Sequence, residues 1–143
     1  MAPLAAILCG REPKLAEAMV RNLSPKIEVV HVCTTQETAM SEIPALLRGE
    51  TITAASGLGT NAEGASRTDV SLIILGGGNS KDNVEEIKAA ADAVKPLPLL
   101  WADVSKMSGG GRPSPEGIRD RIFECLEREG KDGGAPAPGI HMW

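Results

Sequence analysis

The sequence predicts an α/β protein: a three-layer sandwich with helices on both faces of a four-stranded parallel sheet. Two observations carry this expectation. Four apolar, β-branched runs alternate with four helical patterns, and the runs are apolar nearly throughout rather than at every second residue. At 143 residues, 42% of them hydrophobic, the chain is long enough for one domain with a core of its own.

Leu4 to Cys9 reads as the first strand. A helix follows from Pro13 to Leu23, with proline in its first turn and Leu15, Met19 and Leu23 on one face; Ser24-Pro25 stops it. The second strand is Ile27 to Cys33. Thr34 and Glu37 then read as a capping box that opens a helix through Leu47, with Pro44 as a possible kink. Residues 49–68 have the composition of a flexible loop. The third strand, Asp69 to Leu75, ends in Gly76-Gly77-Gly78, and a helix runs from about Ser80 to Val94. Leu99 to Asp103 forms the fourth strand, and the prolines beside it predict a sheet edge. The last helix is capped by Ser114 and has Pro115 in its first turn. Residues 1–129 thus make the predicted domain. Residues 130–143 make a Gly/Pro-rich tail, expected to be mobile as far as Ile140.

Right-handed crossovers favour the strand order 2-1-3-4, a Rossmann-like or flavodoxin-like arrangement. In such sheets ligands bind beyond the carboxyl ends of the strands, where the strand order reverses. That places Gly10 and Arg11 on one lip of a crevice and Gly76, Gly77, Gly78, Asn79, Ser80 and Lys81 on the other, with Asp103, Ser105 and Lys106 at its far side. Glycines let a ligand approach the backbone, and free N–H groups at a helix start attract anions. The same residues also read as a tight turn with Asn79 or Ser80 capping the helix. Ser56-Gly57-Leu58-Gly59-Thr60 lies in a helix-to-strand connection, at the opposite end of the sheet, and reads as linker.

Motif chemistry narrows the function mainly by exclusion. The first strand exits through one glycine and the second ends in Cys33-Thr34-Thr35, so both halves of the G-x-G-x-x-G fingerprint are missing. NADP survives as a possible cofactor through Arg11, Thr34 and Thr35, whereas the Walker spacing and the phosphoacceptor aspartate of a receiver domain are missing. One Phe, two Trp and no Tyr leave little to stack on bases, and the net charge of −4 disfavours nucleic acid. No apolar run reaches the ~18 residues that span a bilayer. Cys9, Cys33 and Cys125 show no C-x-x-C and no histidine at ligand spacing, so no metal is expected. They read as reduced thiols of a soluble, cytoplasmic protein. Cys9 and Cys33 end neighbouring strands, so their sulfurs approach. His31 reads as a hydrogen-bonded packing residue. With Asp103, it is also the candidate acid/base of a cofactor-free enzyme, though a loop salt bridge to Lys106 is the favoured reading of Asp103.

Ile7-Leu8-Cys9-Gly10-Arg11, Leu23-Ser24-Pro25, Ile43-Pro44-Ala45-Leu46-Leu47, Gly76-Gly77-Gly78 and the end Gly139-Ile140-His141-Met142-Trp143 resemble a group of small fungal single-domain proteins. The resemblance covers nearly the whole chain and implies a Rossmann-like fold and cofactor binding. Taken together, the sequence predicts a domain that binds a small anionic or nucleotide-like ligand at the crevice. Two open sheet edges and the apolar end predict a homodimer. The alternative is an interaction module whose tail docks on a partner.

Overall fold

The computed structural model describes residues 4–50, 52–64, 67–76, 78–102, 114–130 and 134–143. Its strands are β1 (Leu4–Cys9), β2 (Ile27–Cys33), β3 (Leu72–Leu75), β4 (Pro98–Trp101) and β5 (Gly139–Met142). Its helices are α1 (Pro13–Leu23), α2 (Gln36–Leu47), α3 (Lys81–Asp92) and α4 (Pro115–Glu129). The strands form one parallel sheet in the order β2-β1-β3-β4-β5. The alternation of strands and helices therefore gives the expected α/β sandwich, with one strand more than the sequence predicts. No helix among the described residues is long and apolar enough to cross a membrane.

Two apolar clusters enclose the sheet. Ala6, Leu8, Val29, Val32 and Ile74 pack with Met19 and Leu23 of α1 and Ile118 and Ile122 of α4. Ala5, Ile7, Cys9, Ile73 and Leu75 face Ile43 and Leu46 of α2 and Val84 and Ile87 of α3 on the other side. Side chains of β1 and β3 thus alternate between two cores, which is why their sequences are apolar at every position.

Capping chemistry sets the helix starts. Ser80 Oγ accepts from Asn83 N at 3.2 Å and Ser114 Oγ from Gly117 N at 3.1 Å. The capping box of α2 sits one residue later than expected. Thr35 Oγ1, not Thr34, accepts from Thr38 N at 3.1 Å, and the Thr38 hydroxyl accepts from the Thr35 N–H at 3.4 Å. A threonine hydroxyl at the third helical position does what the sequence assigns to Glu37. Pro44 lies inside α2 without dividing it.

Both expectations about the edges change. Residues 139–142, which the sequence places at the end of the Gly/Pro-rich tail, form β5, paired with β4 from Pro98↔Gly139 to Trp101↔Met142. β4 is consequently interior. Its proline is tolerated because Pro98 is the first residue of the strand, where a missing N–H removes little of the ladder. Trp143 completes the seam: its backbone N–H donates to Trp101 O at 2.9 Å and its indole Nε1–H to Leu100 O at 3.1 Å. Its ring is 4% exposed and belongs to the core shared by α1 and α4.

The β2 edge is covered by the loop after α2, which is packed rather than a free linker. Ser56 Oγ donates to Val32 O at 2.8 Å, and Thr60 Oγ1 donates to Glu28 Oε2 at 2.6 Å. Asn61 closes the loop on the Arg67 backbone, donating to Arg67 O at 2.7 Å and accepting from Arg67 N at 2.8 Å. Arg67 in turn forks onto Asp69 and reaches Glu28 Oε1 at 2.9 Å.

Two predictions test how these edges are held. Trp143→Ala should cost about 3–5 kcal/mol, read from urea denaturation, because it empties a core site and removes the indole bond to Leu100 O. The second is a pH dependence. The Thr60 hydroxyl, against burial and with Arg67 adding, holds Glu28 below its ordinary 4.5; Arg67, against burial, holds Asp69 below its ordinary 3.8. Both folded values are depressed, so the stability they contribute is present above the ordinary values and lost as pH falls through the lowered ones. The urea midpoint should therefore fall from about pH 7 to about pH 3, and Arg67→Ala should lower it at pH 7 while making that fall shallower.

Candidate functional site

β1 exits to α1 through Gly10, Arg11 and Glu12, and β3 exits to α3 through Gly76 to Ser80. The two exits are stitched together. Gly10 N donates to Cys33 O at 3.0 Å, Gly76 N to Cys9 O at 3.0 Å, and the buried Asn79 amide donates to Cys9 O at 3.2 Å and Gly76 O at 3.1 Å. Beside these exits, on the α1/α4 side of the sheet, lies a cavity of about 410 Å³. Gly10, Arg11, Glu12, Gly76 and Gly78 border it, and Met19, Ile118, Ile122 and Trp143 supply apolar wall.

Of the predicted site residues, Gly10, Arg11, Gly76 and Gly78 therefore meet at one cavity. Asn79 and Ser80 are not among its lining residues, and their polar atoms are engaged within the turn and the helix cap. Lys81 opens α3, exposed and away from the cavity lining. Gly78 has a specific reason to lack a side chain: a Cβ there would lie 2.9 Å from Arg11 Cγ, so its absence lets Arg11 lie across the turn. Gly77, Asp103, Ser105 and Lys106 lie outside the described residues. Arg11 is exposed, and no acidic side chain among the described residues pairs with it.

On the opposite face stands a polar cluster that sequence reasoning saw only in part. Ala6 pairs with Val29 but Ile7 with His31, so β2 carries one extra residue, a bulge at Val30. Before it, Ile27 and Val29 face α1 and α4; after it, Val32 does so again. The bulge shifts the phase of the strand by one residue and thereby turns His31 and Cys33 toward α2. There His31 Nε2 is 2.6 Å from Glu42 Oε1, and Ala55 N donates to Glu42 Oε2 at 3.4 Å. Gly59 seats the covering loop against the bulge: a Cβ there would meet Val30 O at 2.6 Å and His31 N at 2.8 Å, and its φ is +105°.

His31 is thus the hydrogen-bonded, fully buried residue that its strand context predicts, and Glu42 is the partner the sequence left unnamed. The available signal was a His-x-Cys at a strand end followed by a carboxylate on the next helix. Burial disfavours a charge on His31, but Cys33 and then Glu42 outweigh it and hold the imidazole pKa above its ordinary value. Contact with the Cys9 thiol, then burial, pushes the Cys33 thiol far up, with His31 opposing. The approach of Cys9 and Cys33 expected from the strand ends is present; they are Cα partners in the ladder and both are free thiols. A neutral, buried thiol of this kind is a poor nucleophile.

A small parallel α/β domain with a cavity at the carboxyl ends of its strands is the class that these features define. Over 142 residues the chain is 32% identical to kojic acid related protein 6 of Aspergillus oryzae (strain ATCC 42149 / RIB 40), an alignment that covers 92% of this chain and 83% of that protein. It belongs to the same family as that fungal protein. No protein-family model matches the chain, and no solved structure does. The expected fungal kinship is met, whereas these comparisons add no support to the Rossmann-like label.

The seating of the loop is testable. Gly59→Ala should destabilise the fold by roughly 2 kcal/mol or more, because it adds a backbone clash to a positive φ. Denaturant melts measure the loss, and faster hydrogen exchange at residues 54–60 should accompany it.

Proposed function

We propose that this protein binds a small anionic ligand with an apolar body in the crevice beyond the carboxyl ends of β1 and β3. The observation that carries the reading is the cavity itself. Its volume of about 410 Å³ falls in the range that accommodates small organic molecules. Its wall from α1, α4 and Trp143 is apolar, and its mouth holds Arg11 beside glycines that leave the backbone approachable. An apolar wall bordered by Arg11 and Glu12 favours a ring or short chain carrying a single acidic group that meets the Arg11 guanidinium. The body of the ligand contributes area, and Arg11 orients the charge. The relative is named as kojic acid related, which makes kojic acid a ligand to try.

Thermal-shift measurements with kojic acid, aromatic carboxylates, nucleotides and NADP test the reading. A ligand that binds the folded state alone raises the melting temperature by an amount that grows with the logarithm of its concentration above Kd. Arg11 is exposed, so Arg11→Ala should leave the unliganded melting temperature unchanged and weaken binding about tenfold, the loss of one charge-assisted hydrogen bond. The reading fails if nothing in the panel shifts the melt, or if a binding ligand is indifferent to Arg11.

A further inference from the structure

The cluster on the α2 side of the sheet takes no part in the cavity. His31 is 0% exposed, Cys33 2% and the Glu42 side chain 13%. One donor atom from each residue lies within 4.8 Å of the other two. Burying an imidazole, a thiol and a carboxylate together is costly unless each finds a partner. Glu42 takes Nε2 of His31, but Nδ1 of the same ring is buried without a hydrogen-bond partner. Three separate features assemble this group: the bulge that rotates His31 and Cys33 to one side, the placement of Glu42 on α2, and the loop seated by Gly59.

We propose that His31, Cys33 and Glu42 form a zinc site. Imidazole nitrogen, thiolate sulfur and carboxylate oxygen are the donor types zinc takes, at roughly 2.0–2.3 Å in tetrahedral geometry. Donors around such an ion stand roughly 3–4 Å from one another, so side-chain adjustments of about an ångström suffice here. A set containing sulfur disfavours magnesium and calcium, which select oxygen. Cys9 is the Cα partner of Cys33, is buried on the same side of the sheet and contacts the Cys33 thiol. Zinc entering displaces the Cys33 thiol proton to solvent, with no change of oxidation state. Three protein donors leave the fourth position of a tetrahedral ion to a water, and beneath the covering loop the metal ties α2 to the carboxyl end of β2.

Cobalt(II), titrated into the reduced, metal-stripped chain, reports the site directly. The expected result is one cobalt per chain, a thiolate-to-cobalt charge-transfer band and the visible bands of tetrahedral cobalt. Zinc should abolish these bands and raise the melting temperature. Cys33→Ser should remove the charge-transfer band, and Glu42→Gln should lower cobalt affinity about tenfold or more. If either variant fails to fold, the wild-type spectrum still decides. The proposal is overturned if reduced wild-type protein binds no cobalt, or binds it without a thiolate band. It is equally overturned if mild oxidation yields a Cys9–Cys33 disulfide in a chain that, when reduced, takes up no metal.

Discussion

An edge on a small parallel sheet buried on both faces is the constraint from which the rest of this fold follows. Helices cover the faces, but nothing in a β-α repeat satisfies the outer N–H and C=O groups of the first and last strands. Here β2 is covered by a segment outside the four-unit repeat, and β4 is paired by another, β5, which becomes the outer strand. The loop after α2 lies along β2, with Ser56 on Val32 O and Gly59 against the Val30–His31 backbone. At the other side β5 and Trp143 pair with β4. The two segments that look least structured by composition therefore terminate the sheet.

Among the described residues, the same two segments border the cavity and the buried polar cluster. Trp143 supplies a wall of the cavity on the α1/α4 side, and the loop holding Gly59 roofs the His31, Cys33 and Glu42 cluster on the α2 side. β1 separates them. Its Leu8 lines the cavity, while its Cys9 belongs to the opposite core and touches Cys33. The exits of β1 and β3 are held rigidly between the two, because Cys9 O accepts from both Gly76 N and the Asn79 amide. Asn79 and Ser80 thus hold the crevice lip through bonds within the turn and the helix cap, and Arg11 and Glu12 border the cavity beside them.

Element type and order were legible in the chain because they depend on local chemistry. Pro13 begins α1, Ser80 and Ser114 cap α3 and α4, and the apolar runs at Leu4–Cys9 and Ile27–Cys33 are strands of the expected length. Gly10, Arg11, Gly76 and Gly78 were placed at one crevice because strand order and crossover hand bring the ends of β1 and β3 together. Even so, the cap of α2 moved from Thr34 to Thr35, since two adjacent threonines offer the same hydroxyl and packing chooses between them.

By itself, then, the sequence determined a parallel α/β sheet, its helices and the lip of its crevice, all of which follow from periodicity and capping within short windows. Only the tertiary structure decided that Gly139–Met142 is a strand, because four residues with one exposed isoleucine are stable there only as an addition to β4. It alone decided the phase of β2. Val29-Val30-His31-Val32 reads equally well with either set of side chains inward, and the bulge that selects one depends on the register with β1 and the seat of Gly59. On that single shift rests the meeting of His31 and Cys33 with Glu42, a contact between a strand and a helix that no local pattern encodes.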